Sequence, residues 1–281
     1  MTGASSGIGL ALAHQLSKSP CRAVLTARRA SLEKLASAGF VDTGQCLVRP
    51  LDVTLPQERE QLIAEIEARW QGVDVLINNA GISYRSVIEH LTEEEELDQL
   101  QANYLGPLAL IRLVLPGMRR QRWGRIINVS SVGGMMAMPT MGAYSASKFA
   151  LEGASEALWY EMRPWNIKVT LAQPGFIHSH SFTRVRWSHL ARKSVEVDDE
   201  YAVYYRQMSA FIERLMGASF STSERIAARI IQTMEMEAPP LRLPATLDAH
   251  FFALLRRLLP RRIYHWVLYK NLPGIGQWGQ S

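Results

Sequence analysis

Cysteine is scarce in this 281-residue chain, which contains only Cys21 and Cys46. Two cysteines are too few for a disulfide framework and are not spaced like metal ligands, which favours a reducing compartment. Long apolar runs are also lacking, since none reaches the roughly 18 to 20 residues of a membrane-spanning helix. No charged-then-apolar leader precedes the first glycines. We therefore expect a cytoplasmic protein that is neither exported nor membrane-spanning.

An excess of basic residues is confined to the C-terminal tail. The net charge is +5, and the segment from Pro239 onward holds six basic residues against one acid, Asp248. Acidic and basic residues are equal in number over residues 1–238, which argues against nucleic-acid binding. The tail either lies on anionic lipid, where each basic residue contributes about 1 kcal/mol, or packs on the domain or on a second subunit. We expect weak, salt-sensitive membrane association.

Apolar runs alternate with amphipathic segments along most of the chain. Strands are predicted at 22–26, 46–51, 73–77, 125–129 and 167–171, and helices at 31–38, 56–70, 97–120, 142–162 and 221–235. Ser221 and Glu224 are spaced as a capping box for the last of these helices. This order predicts an α/β fold with a doubly wound parallel sheet of the Rossmann type. We expect one domain over residues 1–237 and a basic amphipathic extension over 238–281.

The glycine-rich stretch "TGASSGIG" begins at Thr2 and contains Gly3, Gly7 and Gly9. Such glycines let the backbone approach a pyrophosphate, which the exposed amides at a helix N-terminus stabilise. A buried strand normally precedes this kind of loop, but only Met1 does so here. We therefore expect the first strand of the sheet to be missing.

Three later motifs change the meaning of this loop. "NNAG" spans residues 78–81, "SSVGG" begins at Ser130, and "YSASK" begins at Tyr144, thirteen residues beyond Ser131. Together with the loop they resemble the short-chain dehydrogenase/reductase family, whose motifs are TGxxxGxG, NNAG, a serine and YxxxK. The resemblance runs from Thr2 to about Glu237. "SVGG" and "YSASKFALEG" are similar to the 17β-hydroxysteroid and retinol dehydrogenase branch.

The resemblance implies a nicotinamide dinucleotide cofactor. The segment "VLTARRA" places Arg28, and no acid, after the second expected strand, and a guanidinium neutralises a ribose 2′-phosphate, so NADP(H) is favoured over NAD. By the same resemblance, the cofactor-binding residues are Gly3, Ser5, Ser6, Gly7, Ile8, Gly9, Arg28, Asp52, Val53, Asn79, Ala80, Gly81, Tyr144, Lys148, Pro174, Gly175, Ile177 and Ser179. Ser179 stands where the family usually has a threonine.

Tyr144 and Lys148 are four residues apart on a predicted helix, so their side chains project from one face. We expect the lysine ammonium to lower the pKa of the phenol, which is otherwise near 10, and so to prepare it for proton exchange. The resemblance implies that Ser131 binds the substrate oxygen and that Asn103 holds a water that links Lys148 to solvent. His178 and His180 lack a third partner, so no metal is expected.

The segment after the "PG" pair, residues 182–220, is expected to form a flap over the substrate. Its many aromatic and methionine residues favour a lipophilic carbonyl or alcohol of the steroid, retinoid or long-chain lipid type. Two alternatives stay open: a 3-oxoacyl thioester reductase, suggested by Arg184, Arg186, Arg192 and Lys193, and a truncated, non-catalytic nucleotide-binding relative. The helix from Gly142 resembles the one through which family members associate, which predicts a homodimer or homotetramer.

Overall fold

Parallel strands alternate with helices along the chain, as the sequence predicts. The computed structural model describes residues 1–178 and 185–280. The first half contains, in order, α1 (Gly7–Leu16), β1 (Ala23–Ala27), α2 (Leu32–Ser37), β2 (Cys46–Pro50), α3 (Pro56–Trp70), β3 (Val75–Asn78), β4 (Tyr84–Arg85), α4 (Glu93–Leu100), α5 (Gly106–Gln121) and β5 (Gly124–Val129). The second half contains α6 (Gly142–Met162), β6 (Ile167–Gln173), β7 (Arg186–Trp187), α7 (His189–Val197), α8 (Ala202–Gly217), α9 (Ser223–Glu235), β8 (Arg242–Pro244), α10 (Leu247–Leu258) and α11 (Arg261–Lys270). The predicted doubly wound α/β fold is confirmed.

The main sheet consists of two hydrogen-bonded pieces. β1 pairs with β2, and the second piece has the order β3-β5-β6-β8, with every pair parallel. Residues 1–4 lie between the pieces. The Thr2 amide donates to Ile77 O of β3 at 3.0 Å, and the Ala4 amide donates to Thr26 O of β1 at 2.8 Å. The predicted absence of a first strand thus corresponds to a gap in the sheet between β1 and β3. Residues 1–4 fill this gap and hydrogen-bond both strands, but they do not form a regular strand.

Helices cover both faces of the sheet. One apolar cluster joins α1, α2 and α9 to the sheet, and the other joins α3, α5 and α6 to it. Ile126 and Ile127, neighbours on β5, belong to opposite clusters, as alternate strand side chains must. Because the helices occupy the two faces, ligands of such a sheet bind at the carboxyl ends of its strands.

The long helix predicted over 97–120 is interrupted. α4 begins earlier, with Thr92 Oγ1 accepting from Glu95 N at 3.2 Å and the Glu95 carboxylate accepting from Thr92 N at 3.0 Å. A π-helical turn, Gln101–Leu105, then precedes α5. One wide turn is not visible in the apolar periodicity, and such turns are frequent at functional sites. This one contains Asn103.

The capping box predicted from Ser221 and Glu224 is wrong. α9 begins at Ser223, and its N-cap is Thr222, whose Oγ1 accepts from Arg225 N at 3.4 Å. Ser221 lies outside the helix, where its carbonyl oxygen accepts from His178 N at 2.9 Å. A tertiary contact therefore takes Ser221 away from the capping position.

The segment beyond residue 237 contributes both to the sheet and to the surface. β8 pairs with β6, with Arg242 opposite Leu171. α10 and α11 pack on the domain through Phe252, Ala253 and Leu268, so the packing interpretation of the tail holds for one side. Their other side exposes large apolar side chains, namely Leu247, Phe251, Leu254, Leu258, Ile263, Trp266 and Tyr269. The boundary at 237 stays a prediction. None of the described helices is both long and apolar enough to cross a bilayer.

Candidate active site

Ser131, Tyr144 and Lys148 meet at the carboxyl end of β5. Ser131 Oγ accepts from Gly133 N at 3.1 Å, and the Ser131 side chain hydrogen-bonds the Tyr144 phenol. A Cβ at Gly133 would lie 3.0 Å from Cε1 of the Tyr144 ring, so the glycine lets the ring approach the serine. Lys148 lies one helical turn further along α6, and its Nζ is 5.8 Å from the centre of the tyrosine ring.

The Lys148 ammonium is buried in the floor of this site. Its side chain extends inward, and Nζ donates to Val129 O at 2.8 Å. Burial lowers the pKa of Lys148 to about 8, although the carboxylate of Glu152 opposes the shift. At neutral pH most of the molecules therefore carry a positive charge at Lys148 that water screens poorly.

The pKa of Tyr144 is raised, which corrects the sequence-based expectation of a lowered value. Burial disfavours the phenolate, and the hydrogen bond from Ser131 offsets only part of that effect. The ammonium of Lys148, which donates to Val129 O, does not bring the pKa of Tyr144 below its usual value. Tyr144 is therefore a protonated phenol at neutral pH, which suits it to donate a proton.

Asn103 fixes the NNAG segment against the catalytic helix. Its Oδ1 accepts from Ile82 N at 2.8 Å, while its Nδ2 donates to Ile82 O at 2.9 Å and to Ser147 Oγ at 3.0 Å. A Cβ added to Gly81 would lie 3.0 Å from Asn103 Oδ1 and 3.8 Å from Lys148 Nζ, so both groups flank this glycine. The clamp on Ile82 was not predicted, and the water link to solvent stays a prediction.

The glycine loop packs tightly at the start of α1. A Cβ at Gly9 would lie 2.0 Å from Gly3 O, and Gly3 itself has a φ of +70°. Within the described residues, no side chain caps α1 at Ser6. The first-turn amides are therefore available to a negatively charged ligand, as a pyrophosphate site requires.

Asn79 ties this loop to the end of β3. Its Nδ2 donates to Thr2 O at 3.1 Å and to Gly3 O at 3.0 Å. In return, Thr2 Oγ1 accepts from the Asn79 and Ala80 amides, each at 3.0 Å. Asn79 therefore has a structural role in shaping the loop, besides the ligand contact that the family resemblance implies.

One cleft of about 600 Å³ connects these parts. Its lining includes the predicted residues Gly3, Ser5, Ser6, Gly7, Ile8, Arg28, Asp52, Val53, Asn79, Ala80, Gly81, Ser131, Tyr144, Lys148, Pro174, Gly175 and Ile177. Gly9 and Asn103 support the lining from behind, and Ser179 lies outside the described residues. The uncapped helix, the close glycines and the elongated cleft fit a dinucleotide. Within residues 1–178 and 185–280, no three His, Cys, Asp or Glu side chains are grouped to hold a metal.

Several lining residues were missed by sequence reasoning. Ser31 and Lys34 lie at the Arg28 end of the cleft, and Arg85 and Asp98 line it too. Beyond Ser131 the cleft is lined with Met136, Met138 and Met141, which were also missed, and with Met216, one of the flap methionines already expected to line it. The run "MMAMPTM" at 135–141 was a signal available in the sequence.

The flap is held to the body by polar contacts and by a short sheet. β4 and β7 pair in parallel, with Tyr84 opposite Arg186. Arg186 forms an ion pair with Asp98 of α4. Ser188 Oγ, which caps α7, is 2.9 Å from Ser86 Oγ. Val185, Arg186, Ile212 and Met216 line the cleft, so the described part of the flap, residues 185–220, forms part of its wall.

Comparisons with known proteins agree with this site. A family profile described as short chain dehydrogenase matches residues 1–188. The chain is 34% identical over 269 residues to 3-ketodihydrosphingosine reductase of Bacteroides thetaiotaomicron, with 95% of each chain covered. It is 33% identical over 252 residues to retinol dehydrogenase 8 of Homo sapiens, covering 86% of this chain and 79% of that protein. The chain belongs to the short-chain dehydrogenase family, and the predicted resemblance to its retinol dehydrogenase branch is confirmed.

Solved structures show the same fold. A short-chain dehydrogenase from Streptomyces avermitilis matches with a TM-score of 0.75 at 30% identity, covering 96% of this chain and 95% of that one. The closed form of serine dehydrogenase complexed with NADP+ matches with a TM-score of 0.69 at 21% identity, covering 86% of this chain and 91% of that one. The second likeness concerns the fold alone.

Proposed function

We propose that this oxidoreductase of the short-chain dehydrogenase family uses NADP(H) to interconvert a carbonyl and an alcohol on a lipophilic, long-chain substrate. The observation that carries the proposal is the position of the Tyr144 phenol. It lies beside Ser131 and Lys148 in the cleft that the glycine loop and Met136, Met138, Met141 and Met216 also line. A bound nicotinamide dinucleotide supplies or accepts the hydride in such a site.

Each side chain has a defined task in this proposal. The protonated Tyr144 donates its phenolic proton to the carbonyl oxygen of the substrate. Ser131, already hydrogen-bonded to Tyr144, holds the same oxygen in place. The buried ammonium of Lys148 stabilises negative charge that develops on the phenol oxygen during transfer. Because its raised pKa keeps Tyr144 protonated, the resting enzyme is ready for carbonyl reduction, in which the phenol donates a proton.

The lipophilic substrate is supported by the lining of the cleft. Methionine is unbranched and polarisable, so Met136, Met138, Met141 and Met216 can adapt to a flexible apolar chain. Ile212 and Val185 add apolar surface at the same end. The names of two relatives, 3-ketodihydrosphingosine reductase and retinol dehydrogenase 8, refer to lipids that carry a ketone or an alcohol.

The preference for NADP(H) is supported by the end of β1. Arg28 lines the cleft beside Ser31 and Lys34, so two cations and a hydroxyl are available to a 2′-phosphate. An NAD-specific site of this type instead has an acid that binds the free ribose hydroxyl.

A substrate panel tests the proposed function. We expect the purified protein to oxidise NADPH in the presence of long-chain ketones, including a 3-ketodihydrosphingosine, because the methionine-lined end accepts an apolar chain. NADPH absorbance at pH 7 measures the rate, with NADH as the alternative cofactor. A 3-oxoacyl thioester and retinal belong in the same panel.

The controls separate the parts of this proposal. The Arg28→Asp variant should lose most of its preference for NADPH over NADH, because the carboxylate repels a 2′-phosphate and can bind a ribose hydroxyl. A higher kcat/KM for the thioester than for any long-chain ketone would favour the 3-oxoacyl reductase alternative. Failure of the chain to bind NADPH would favour the non-catalytic alternative.

We also propose that the exposed side of α10 and α11 contacts anionic membranes. Its apolar side chains Phe251, Leu258, Ile263 and Trp266 lie on the same two helices as the exposed Arg257, Arg261, Arg262 and Lys270. Apolar and basic groups together are what an interfacial helix needs to bind anionic lipid. The packed side of these helices leaves this surface uncovered in the described chain.

Sedimentation with phosphatidylserine vesicles measures the membrane contact. We expect binding at low salt that weakens several-fold at 0.3 M salt, because salt screens the basic residues. The double variant Phe251→Glu, Trp266→Glu should abolish binding, because both side chains are more than half exposed. Phe220→Glu, which changes an aromatic residue outside the tail that is also more than half exposed, is the matched control. Equal binding by the tail double variant and by the control would contradict the proposal.

A homodimer or homotetramer remains our proposal for the assembly. One face of α6 is exposed and consists of small and aromatic residues, namely Ala146, Phe149, Gly153, Ala157 and Tyr160. Their spacing of three and four residues places them in one stripe, which a second copy of the helix can approach closely. Light scattering measures the resulting mass.

A further inference from the structure

The start of α10 lies directly against the loop that follows β6. Gly175 N donates to Thr246 Oγ1 at 2.9 Å, and Phe176 N donates to Asp248 Oδ2 at 2.8 Å. These contacts join residues that are 71 and 72 positions apart in the chain. Both amides belong to the segment Pro174–Ile177, all four residues of which line the cleft.

The fit between the two segments is close. A Cβ at Gly175 would lie 1.9 Å from Asp248 Oδ2, so only glycine allows the carboxylate to approach this backbone. Thr246 is 2% exposed and also caps α10, accepting from Ala249 N at 3.4 Å. Asp248 is the one acid in the basic tail. Its position in the first turn of α10 adds the favourable field of the helix N-terminus.

The same helix also contacts the segment that follows Ser131. Arg256 donates to Met135 O, and Phe252 packs against the cluster of Val132, Met135 and Met136. Val132 N in turn donates to Pro174 O at 2.8 Å. α10 therefore contacts both the segment after Ser131 and the loop after β6.

We propose that Thr246 and Asp248 are positioning residues of the cofactor site, which hold the loop Pro174–Ile177 in its binding conformation from the C-terminal segment. This inference rests on the proposed nicotinamide cofactor. The carboxylate of Asp248 makes a charge-assisted hydrogen bond, which is about twice as strong as a neutral one. Its loss frees the Phe176 amide and removes one of the two hydrogen bonds between the loop and the start of α10, while the bond from Gly175 N to Thr246 Oγ1 remains.

The test compares Asp248→Ala with Asp248→Asn, because an asparagine Oδ1 can still accept from Phe176 N. We expect Asp248→Ala to raise the Kd for NADPH and the KM for NADPH roughly tenfold, the factor that about 1.4 kcal/mol represents, with a smaller change in kcat. Asp248→Asn should restore most of the affinity. His250→Ala, an exposed position on the same helix, is the matched control.

Hydrogen exchange at the Gly175 and Phe176 amides supplies a readout that needs no cofactor. We expect faster exchange in Asp248→Ala than in the unaltered protein. If Asp248→Ala does not fold, Thr246→Val, which lacks the acceptor hydroxyl, is compared with Thr246→Ser, which keeps it. Unchanged exchange and unchanged NADPH affinity in Asp248→Ala or Thr246→Val would overturn the proposal. If the unaltered protein does not bind NADPH while exchange still responds, the proposed cofactor is wrong but the contact between α10 and the loop stands.

Discussion

Replacing Tyr144 with phenylalanine should lower kcat for ketone reduction by about 10²- to 10⁴-fold, the range that general acid catalysis contributes. The phenol is the proton donor in the proposed mechanism, and phenylalanine keeps the ring that packs against Gly133 while removing the proton. NADPH consumption under saturating ketone, followed at pH 7, measures the loss.

The control for this prediction is cofactor binding. The Kd for NADPH and the melting temperature should change little in Tyr144→Phe, because the hydroxyl contacts Ser131 rather than the glycine loop. A variant that binds NADPH normally and still reduces the ketone at the original rate would exclude Tyr144 as the acid.

Replacing Lys148 with methionine should lower kcat by about 10²-fold or more, because a displaced catalytic group alone can cost that factor. The buried ammonium beside Tyr144 is lost, while methionine retains much of the volume of the lysine stem. Steady-state kinetics with NADPH and ketone measure the effect, with the exposed Lys18→Met as control. Equal kcat values for Lys148→Met and Lys18→Met would contradict it.

The same substitution should change how stability depends on pH. Burial lowers the pKa of Lys148 from 10.5 to about 8, so between these values the unfolded chain binds more protons and the free energy of unfolding rises with pH. The full pKa shift corresponds to about 3 kcal/mol of unfolding free energy, and about 2 kcal/mol of this is gained between pH 7 and pH 9.5. Urea unfolding at pH 7 and pH 9.5 should show this rise in Lys18→Met and not in Lys148→Met. The same rise in both variants would show that Lys148 is not its source.

Local signals predicted much of the fold. Pro56 in the first turn and a regular apolar stripe gave the helix Pro56–Trp70 its observed bounds, and Gly142–Met162 was likewise predicted in full. The strands agree to within one or two residues because continuous apolar runs mark strands buried on both faces. These features depend on residues close together in sequence.

The differences arise where distant segments meet. The π-helical turn at Gln101–Leu105 positions Asn103 against Ile82 and Ser147, and no periodicity in the sequence indicates it. Ser221 looked like an N-cap, but its backbone is engaged by His178. The contact of Asp248 with Phe176 was equally hidden, since it joins segments that are far apart along the chain.

The motifs predicted which side chains gather in the cleft but not their electrostatics. Spacing placed Tyr144 and Lys148 on one helical face, and the structure brings them together with Ser131 in one cleft. The direction of the Tyr144 pKa shift depends on burial by the surrounding chain, which outweighs the hydrogen bond from Ser131. Ser31 and Lys34 were missed because nothing local distinguishes a cleft residue from a solvated one.

The central claim is that Tyr144 protonates a carbonyl while hydride is transferred from NADPH, and isotope transfer tests it most directly. The purified protein is incubated with a long-chain ketone and NADPH that carries deuterium at the transferable position of the nicotinamide ring. We predict an alcohol with one deuterium at the former carbonyl carbon, formed at a rate that falls by about 10²-fold or more in Tyr144→Phe. Absence of deuterated alcohol from every ketone tested, or its formation by Tyr144→Phe at the unaltered rate, would contradict the account.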